Sequence, residues 1–112
     1  MSEIDTIIEV LKTFRDERNW EQFHNSKDLA LAISIEAAEL NELFLWKNKN
    51  EVETVDQEKL RDELADVLAF SFLLANKHQL NVKEIILEKI RKNGEKYPVE
   101  KSRNSATKYR DL

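Results

Sequence analysis

The sequence predicts an all-α fold, a four-helix bundle, and three observations carry that reading. Apolar residues recur at three- and four-residue spacing in four separate stretches. The 112 residues include one Gly and one Pro, which leaves few turn-makers. Hydrophobic residues make up 41% and charged residues 36% of the chain, a balance suited to amphipathic helices with solvated outer faces. One domain with one core is expected over residues 1–112, with 95–112 as a basic, partly extended tail. A core this small gains from pairing with a second subunit.

The first helix is expected to start at Ser2, an N-cap with Asp5 three residues on, and to end near Asn19. Ile4, Ile7, Ile8, Leu11 and Phe14 supply its helical repeat. From Asn19 to Ser26 the chain reads as a loop, yet it carries Trp20, Phe23 and His24. Loops are usually polar, so these rings either fold back to cap the bundle or form one wall of a ligand pocket. Ser26 is expected to cap a second helix running to about Lys47. Leu29, Ala32, Ile33, Leu40 and Leu43 fall on one face of that helix, and Leu31, Ile35, Ala38 and Leu45 on the other. A helix apolar almost all round belongs in a core or a subunit interface. Thr54 with Gln57 forms an expected capping box for a third helix ending near Lys77, its inward stripe being Leu60, Val67, Phe70 and Leu74. A fourth helix opens at Asn81, with Glu84 as box partner and Leu80 against Ile85 as a staple, and Gly94 is expected to stop it.

A formal net charge of −4 disfavours generic attraction to nucleic acid or anionic membrane. An acidic protein that handles phosphates needs metal ions to mediate. Without cysteine there is neither a disulfide nor a thiolate metal site. The Met-Ser-Glu-Ile-Asp start lacks the basic and apolar segments of a signal peptide, and the longest nearly apolar run, Val67 to Ala75, is too short to span a bilayer. A cytoplasmic protein is the expectation.

Two pairs of acids point to chemistry. Glu36 and Glu39 sit at i, i+3 in the second helix, and Glu63 and Asp66 sit likewise in the third. On the helical wheel Glu36 lies between Leu29 and Leu43, and Glu63 between Val67 and Phe70, so both pairs point into the bundle. Ionised carboxylates in a core are costly unless paired or bound to metal. Cationic partners in the facing stripes are few, since Lys59 and Lys77 lie near the ends of the third helix. Hard oxygen ligands without Cys or His favour Mg²⁺, with Mn²⁺ as a substitute, over zinc. A di-iron bundle requires Glu-x-x-His motifs, and His24 and His78 do not follow that spacing.

The motifs Glu36-Ala-Ala-Glu39-Leu40, Trp46-Lys47 and Asp62-Glu63-Leu-Ala-Asp66-Val67-Leu68 resemble those of the MazG-like, all-α NTP pyrophosphohydrolases. Glu17-Arg18-Asn19-Trp20-Glu21-Gln22-Phe23-His24 and Lys89-Ile-Arg-Lys-Asn93-Gly-Glu-Lys96-Tyr97-Pro98-Val99 are similar to the dCTP pyrophosphatase branch. The resemblance runs from about Phe14 to Tyr109. It implies Mg²⁺ on Glu36, Glu39, Glu63 and Asp66, and nucleotide contacts from Trp20, Phe23, His24, Trp46 and Phe70. Well-known members carry tyrosine where Phe70 stands, so a hydroxyl is missing here. Lys89, Asn93, Lys96, Arg103 and Lys108 match a basic pattern associated with phosphates. The implied reaction is hydrolysis of a deoxynucleoside triphosphate, dCTP or a modified dCTP first, to monophosphate and pyrophosphate, with Glu39 favoured as base. The implied assembly is a homodimer or homotetramer. Alternatives are a broader MazG-like or dUTP-type hydrolase on the same fold, or a helical interaction module without catalysis.

Overall fold

A computed structural model describes all 112 residues. The chain divides into two compact units, residues 1–79 and 80–112. Every regular element is helical: α1 (Glu3–Glu17), α2 (Ser26–Glu42), α3 (Gln57–Lys77), α4 (Val82–Lys96) and a short α5 (Val99–Ser102), with 3₁₀ turns at Glu21–Phe23 and Tyr109–Asp111. The predicted all-α class with four long helices is what the chain forms. None of these helices is long and apolar enough to cross a membrane.

In the first unit, α1 opens on a complete capping box. The Ser2 hydroxyl accepts from the Asp5 amide at 3.1 Å and the Asp5 carboxylate accepts from the Ser2 amide at 3.3 Å. Its other end is a Schellman turn. Asn19 takes the left-handed conformation (φ 53°), its amide donates to the Asp16 carbonyl, and the Trp20 amide donates back to the Arg15 carbonyl at 3.0 Å. That turn fixes where Trp20 leaves the helix.

Helices α2 and α3 form an antiparallel pair. The Ser26 hydroxyl and His78 Nε2 lie 2.8 Å apart, joining the start of α2 to the end of α3, while Glu36 and Glu39 meet Glu63 further along both helices. Helix α1 packs on α3 as well. Ile8 of α1, Leu29 of α2, Leu73 and Ala75 of α3 and Val55 in the connection are the buried apolar residues of this unit, Leu29 being only 2% exposed. The second apolar side of α2 is open: Leu31 and Ile35 are exposed, as are Leu45 in the turn beyond it and Leu64 and Leu68 on α3.

Several expected boundaries move. Helix α2 is capped by Asn25, not Ser26. The Asn25 side-chain oxygen accepts from the Asp28 amide at 2.8 Å, and Ser26 becomes the first helical residue. The helix ends at Glu42, short of Lys47, and turns follow through Trp46. Asp56 caps α3 in place of Thr54, accepting from the amides of Glu58 and Lys59, because it adjoins Gln57, the first helical residue, while Thr54 lies two residues earlier and donates its hydroxyl to the Glu51 carbonyl at 2.6 Å.

In the second unit, Asn81 caps α4 as expected, accepting from the Glu84 amide at 3.0 Å. Leu80 and Ile85 both remain exposed, so the expected staple shields neither. Gly94 does not stop the helix. A glycine stop needs a left-handed backbone, and no glycine here has positive φ. Helix α4 continues to Lys96 and ends at Tyr97, the residue before Pro98, where the proline ring disfavours helical backbone. The tail is also more structured than expected: α5 follows directly on Pro98, and Tyr97 and Tyr109 pack edge to face at 5.9 Å.

Candidate active site

Helical spacing on α2 and α3 gathers the acids. One carboxylate oxygen each from Glu36, Glu39 and Glu63 lie within 4.8 Å of one another. Glu36 and Glu63 are half-buried, and each has one carboxylate oxygen shielded from solvent with no hydrogen-bond partner. None of the molecule's ion pairs reaches any of these acids. Burial, followed by Glu39 and then the charges of Asp66 and Glu63, raises Glu36 to about 7. Glu63 is raised for the same leading reason, again with Glu39 and Asp66 adding to burial. Asp66 stands outside the tight trio, one turn beyond Glu63 on α3 and close enough for both to feel its charge.

Asp66 also borders an aromatic cleft of about 510 Å³. Its loop wall is Trp20, Phe23 and His24, delivered by the Schellman turn and the 3₁₀ turn that follows. Its α3 wall is Asp66, Ala69, Phe70 and Leu73, and α1 contributes Leu11, Phe14 and Arg15. The three rings of this loop line the cleft, and Trp20 and Phe23 stay exposed instead of closing over the core. His24 packs edge to face on Phe70 at 6.4 Å, and its Nδ1 is buried without a partner. Burial, reinforced by Arg15, holds His24 below the usual imidazole range, so the ring is neutral near pH 7. On the outer side, Trp20 meets Phe14 edge to face at 5.9 Å and the Arg18 guanidinium covers the Phe14 ring at 3.6 Å.

The remaining expected site residues lie elsewhere. Trp46 is outside the cleft lining, 91% exposed, and held at φ 63°, an unusual backbone for a bulky side chain. Asn93 and Lys96 belong to α4 in the second unit, where Lys96 Nζ sits 4.8 Å above the Tyr109 ring. Sequence reasoning missed the α1 wall, above all Arg15. The signal was there: Arg15 follows Ile8 and Leu11 at helical spacing on the inward stripe.

The residues present fit a divalent cation. Two shielded carboxylate oxygens lack any partner, the donor set is all hard oxygen, and no Lys or Arg neutralises it. An all-helical chain with a metal-competent carboxylate cluster beside an aromatic cleft defines the class of protein. Within that class the chain belongs to the MazG-like family, whose pattern matches residues 31–112. It is similar to dCTP pyrophosphatase 1 of Mus musculus, 39% identical over 104 residues, and of Homo sapiens, 36% identical. Both matches cover 88% of this chain and 61% of the relative, so the chain spans about three fifths of their length. The crystal structure of a pyrophosphatase from Archaeoglobus fulgidus superposes with a TM-score of 0.83 at 35% identity, covering 88% of this chain and 94% of that one.

Proposed function

We propose that this chain hydrolyses a deoxynucleoside triphosphate between the α and β phosphates, with dCTP or a 5-substituted dCTP preferred. The observation that carries this reading is the continuity of the two sites: Asp66 faces both the carboxylate cluster and the aromatic cleft. A nucleotide with its base among the rings then presents its α-phosphate to the acids. The cytosine preference is supported by the likeness to dCTP pyrophosphatase 1, because stacking on Trp20, Phe23 and Phe70 accepts any base.

Glu36, Glu39, Glu63 and Asp66 would hold Mg²⁺, or Mn²⁺ in its place. Bound there, the ion supplies positive charge against the triphosphate and against the charge that develops in the transition state. Glu39, which neighbours both Glu36 and Glu63, takes the proton of the attacking water. The water oxygen bonds to the α-phosphorus, the bond to the bridging oxygen breaks, and pyrophosphate leaves. The cleft rings hold the base and exclude bulk water, and Phe70 does so without the hydroxyl that a tyrosine would add. Trp46, Asn93 and Lys96 are assigned nucleotide contacts on the family resemblance. A homodimer or homotetramer is part of the same proposal, supported by the open apolar residues Leu31, Ile35, Leu64 and Leu68.

The test is turnover of the common NTPs and dNTPs plus 5-methyl-dCTP, with Mg²⁺ and with EDTA. Release of dCMP and pyrophosphate, fastest from dCTP or its 5-methyl form and abolished by EDTA, is expected. Best hydrolysis of ATP or UTP, or orthophosphate as the primary product, contradicts the assignment.

A further inference from the structure

Arg15 is the cation among the residues that line the aromatic cleft. Its side chain is only 12% exposed, so most of its length lies against the protein. Nε donates to Asp16 Oδ1 at 2.8 Å, which anchors that edge of the group. Nη2 lies 3.6 Å from Glu21 Oε2, within ion-pair range but beyond hydrogen-bond length. The terminal amines therefore keep N–H groups with no acceptor in the chain. Neither amine is sealed off from solvent, so both stay open to an acceptor on a ligand.

Position matters as much as valence. Arg15, His24 and Leu73 also line an adjoining polar pocket with Asn76 and Lys77, toward the end of α3. Leu73 lies about 10 Å beyond Asp66 along the helix, at a rise of roughly 1.5 Å per residue. Asp66 marks the end of the cleft nearest the carboxylates, so Arg15 stands at the end that a base reaches.

We propose that Arg15 is the specificity-determining residue of the cleft, its terminal amines donating side by side to the adjacent O2 and N3 acceptors of a cytosine ring. The inference rests on the reading of the cleft as a nucleoside site. Uracil and thymine carry N–H at ring position three, so the same fork meets a donor and loses one bond. A planar fork fixed at Nε suits such a pair better than a lysine point charge. Guanine presents a comparable acceptor pair through O6 and N7, which makes dGTP the informative competitor.

The experiment compares kcat/KM for dCTP, dUTP and dGTP in the wild type, Arg15→Lys and Arg15→Met. Tryptophan fluorescence titrations with dCMP and dUMP, without metal, provide a readout independent of turnover. The wild type should favour dCTP over dUTP by about tenfold or more, the scale of one bidentate contact. Both variants should bring that ratio to within about threefold, chiefly through the KM for dCTP, and the dCMP preference in binding should fall in parallel. Arg15→Lys keeps the charge beside Asp16 and Glu21, so its melting temperature, compared with that of the wild type, separates recognition from stability. A wild type that binds dCMP and dUMP equally, variants that keep the full preference, or a loss falling on dGTP instead of dCTP each overturn the proposal. If no nucleotide is hydrolysed at all, the reading of the catalytic site fails, and the monophosphate titrations still decide the role of Arg15.

Discussion

Glu36 and Glu63 each keep a carboxylate oxygen away from water with nothing to satisfy it, a condition that costs stability and that a bound metal ion or protonation relieves. Glu36→Gln, Glu39→Gln, Glu63→Gln and Asp66→Asn should therefore each lower kcat/KM about a hundredfold or more. In EDTA the same variants should melt at or above the wild-type temperature, because each deletes a repelling charge. Four variants with wild-type turnover would rule out the proposed chemistry, and four that fail to fold would point to a structural role. The raised Glu36 sets a second expectation. Between about 4.5, its ordinary value, and about 7, the folded metal-free protein holds a proton that the unfolded chain has released. Stability without metal is then greatest at the acid end of that window and declines as pH rises through it. Glu63, also raised, acts in the same direction. Urea melts in EDTA across this range check the sign, and a metal-free protein that gains stability toward pH 7 would contradict it. These acids were legible from sequence because charge at apolar register is a rare pattern. For Arg15 the helical spacing gives the inward face but not which wall of a cleft a single cation joins.

At the scale of elements, the helices were legible and their ends less so. Period and apolar content marked α1 to α4, but caps are decided by local competition among several residues able to do the same work. Asn25 and Ser26 are adjacent capping types, and the chain uses the first. Thr54 is a capable capping type that lies two residues before Asp56, so the task falls to Asp56, which adjoins the first helical residue. Asp56→Ala should accordingly cost about 1 kcal/mol in chemical denaturation and Thr54→Ala distinctly less, and equal losses would return the cap to Thr54. Gly94 tests the other end. It lies inside α4, and a Cβ there meets nothing within 4 Å. Gly94→Ala should stabilise by about 0.5–1 kcal/mol, whereas a glycine needed for a left-handed stop would make the change destabilising. The aromatic loop was ambiguous in sequence for a physical reason. Whether rings cap a core or line a cleft depends on where the preceding helix ends, and the Schellman turn at Asn19 settles that only in three dimensions.

For the molecule as a whole, fold and cluster come from one hairpin, since the α2–α3 pairing that buries Leu29 and Leu73 also brings Glu36, Glu39 and Glu63 together. Binding of Mg²⁺ to the folded state alone should add about 2.7 kcal/mol at a hundredfold excess over Kd, a rise in Tm on the order of 10 °C. An unchanged Tm with Mg²⁺ and with Mn²⁺ would remove the metal site from the account. Attack on the α-phosphorus by water activated at the carboxylate cluster is checked by hydrolysing dCTP in isotopically labelled water and weighing both products. One labelled oxygen is expected in dCMP, none in pyrophosphate, and no turnover once EDTA is present or Glu39 is glutamine. Label in pyrophosphate or orthophosphate, or turnover that survives EDTA, would contradict it.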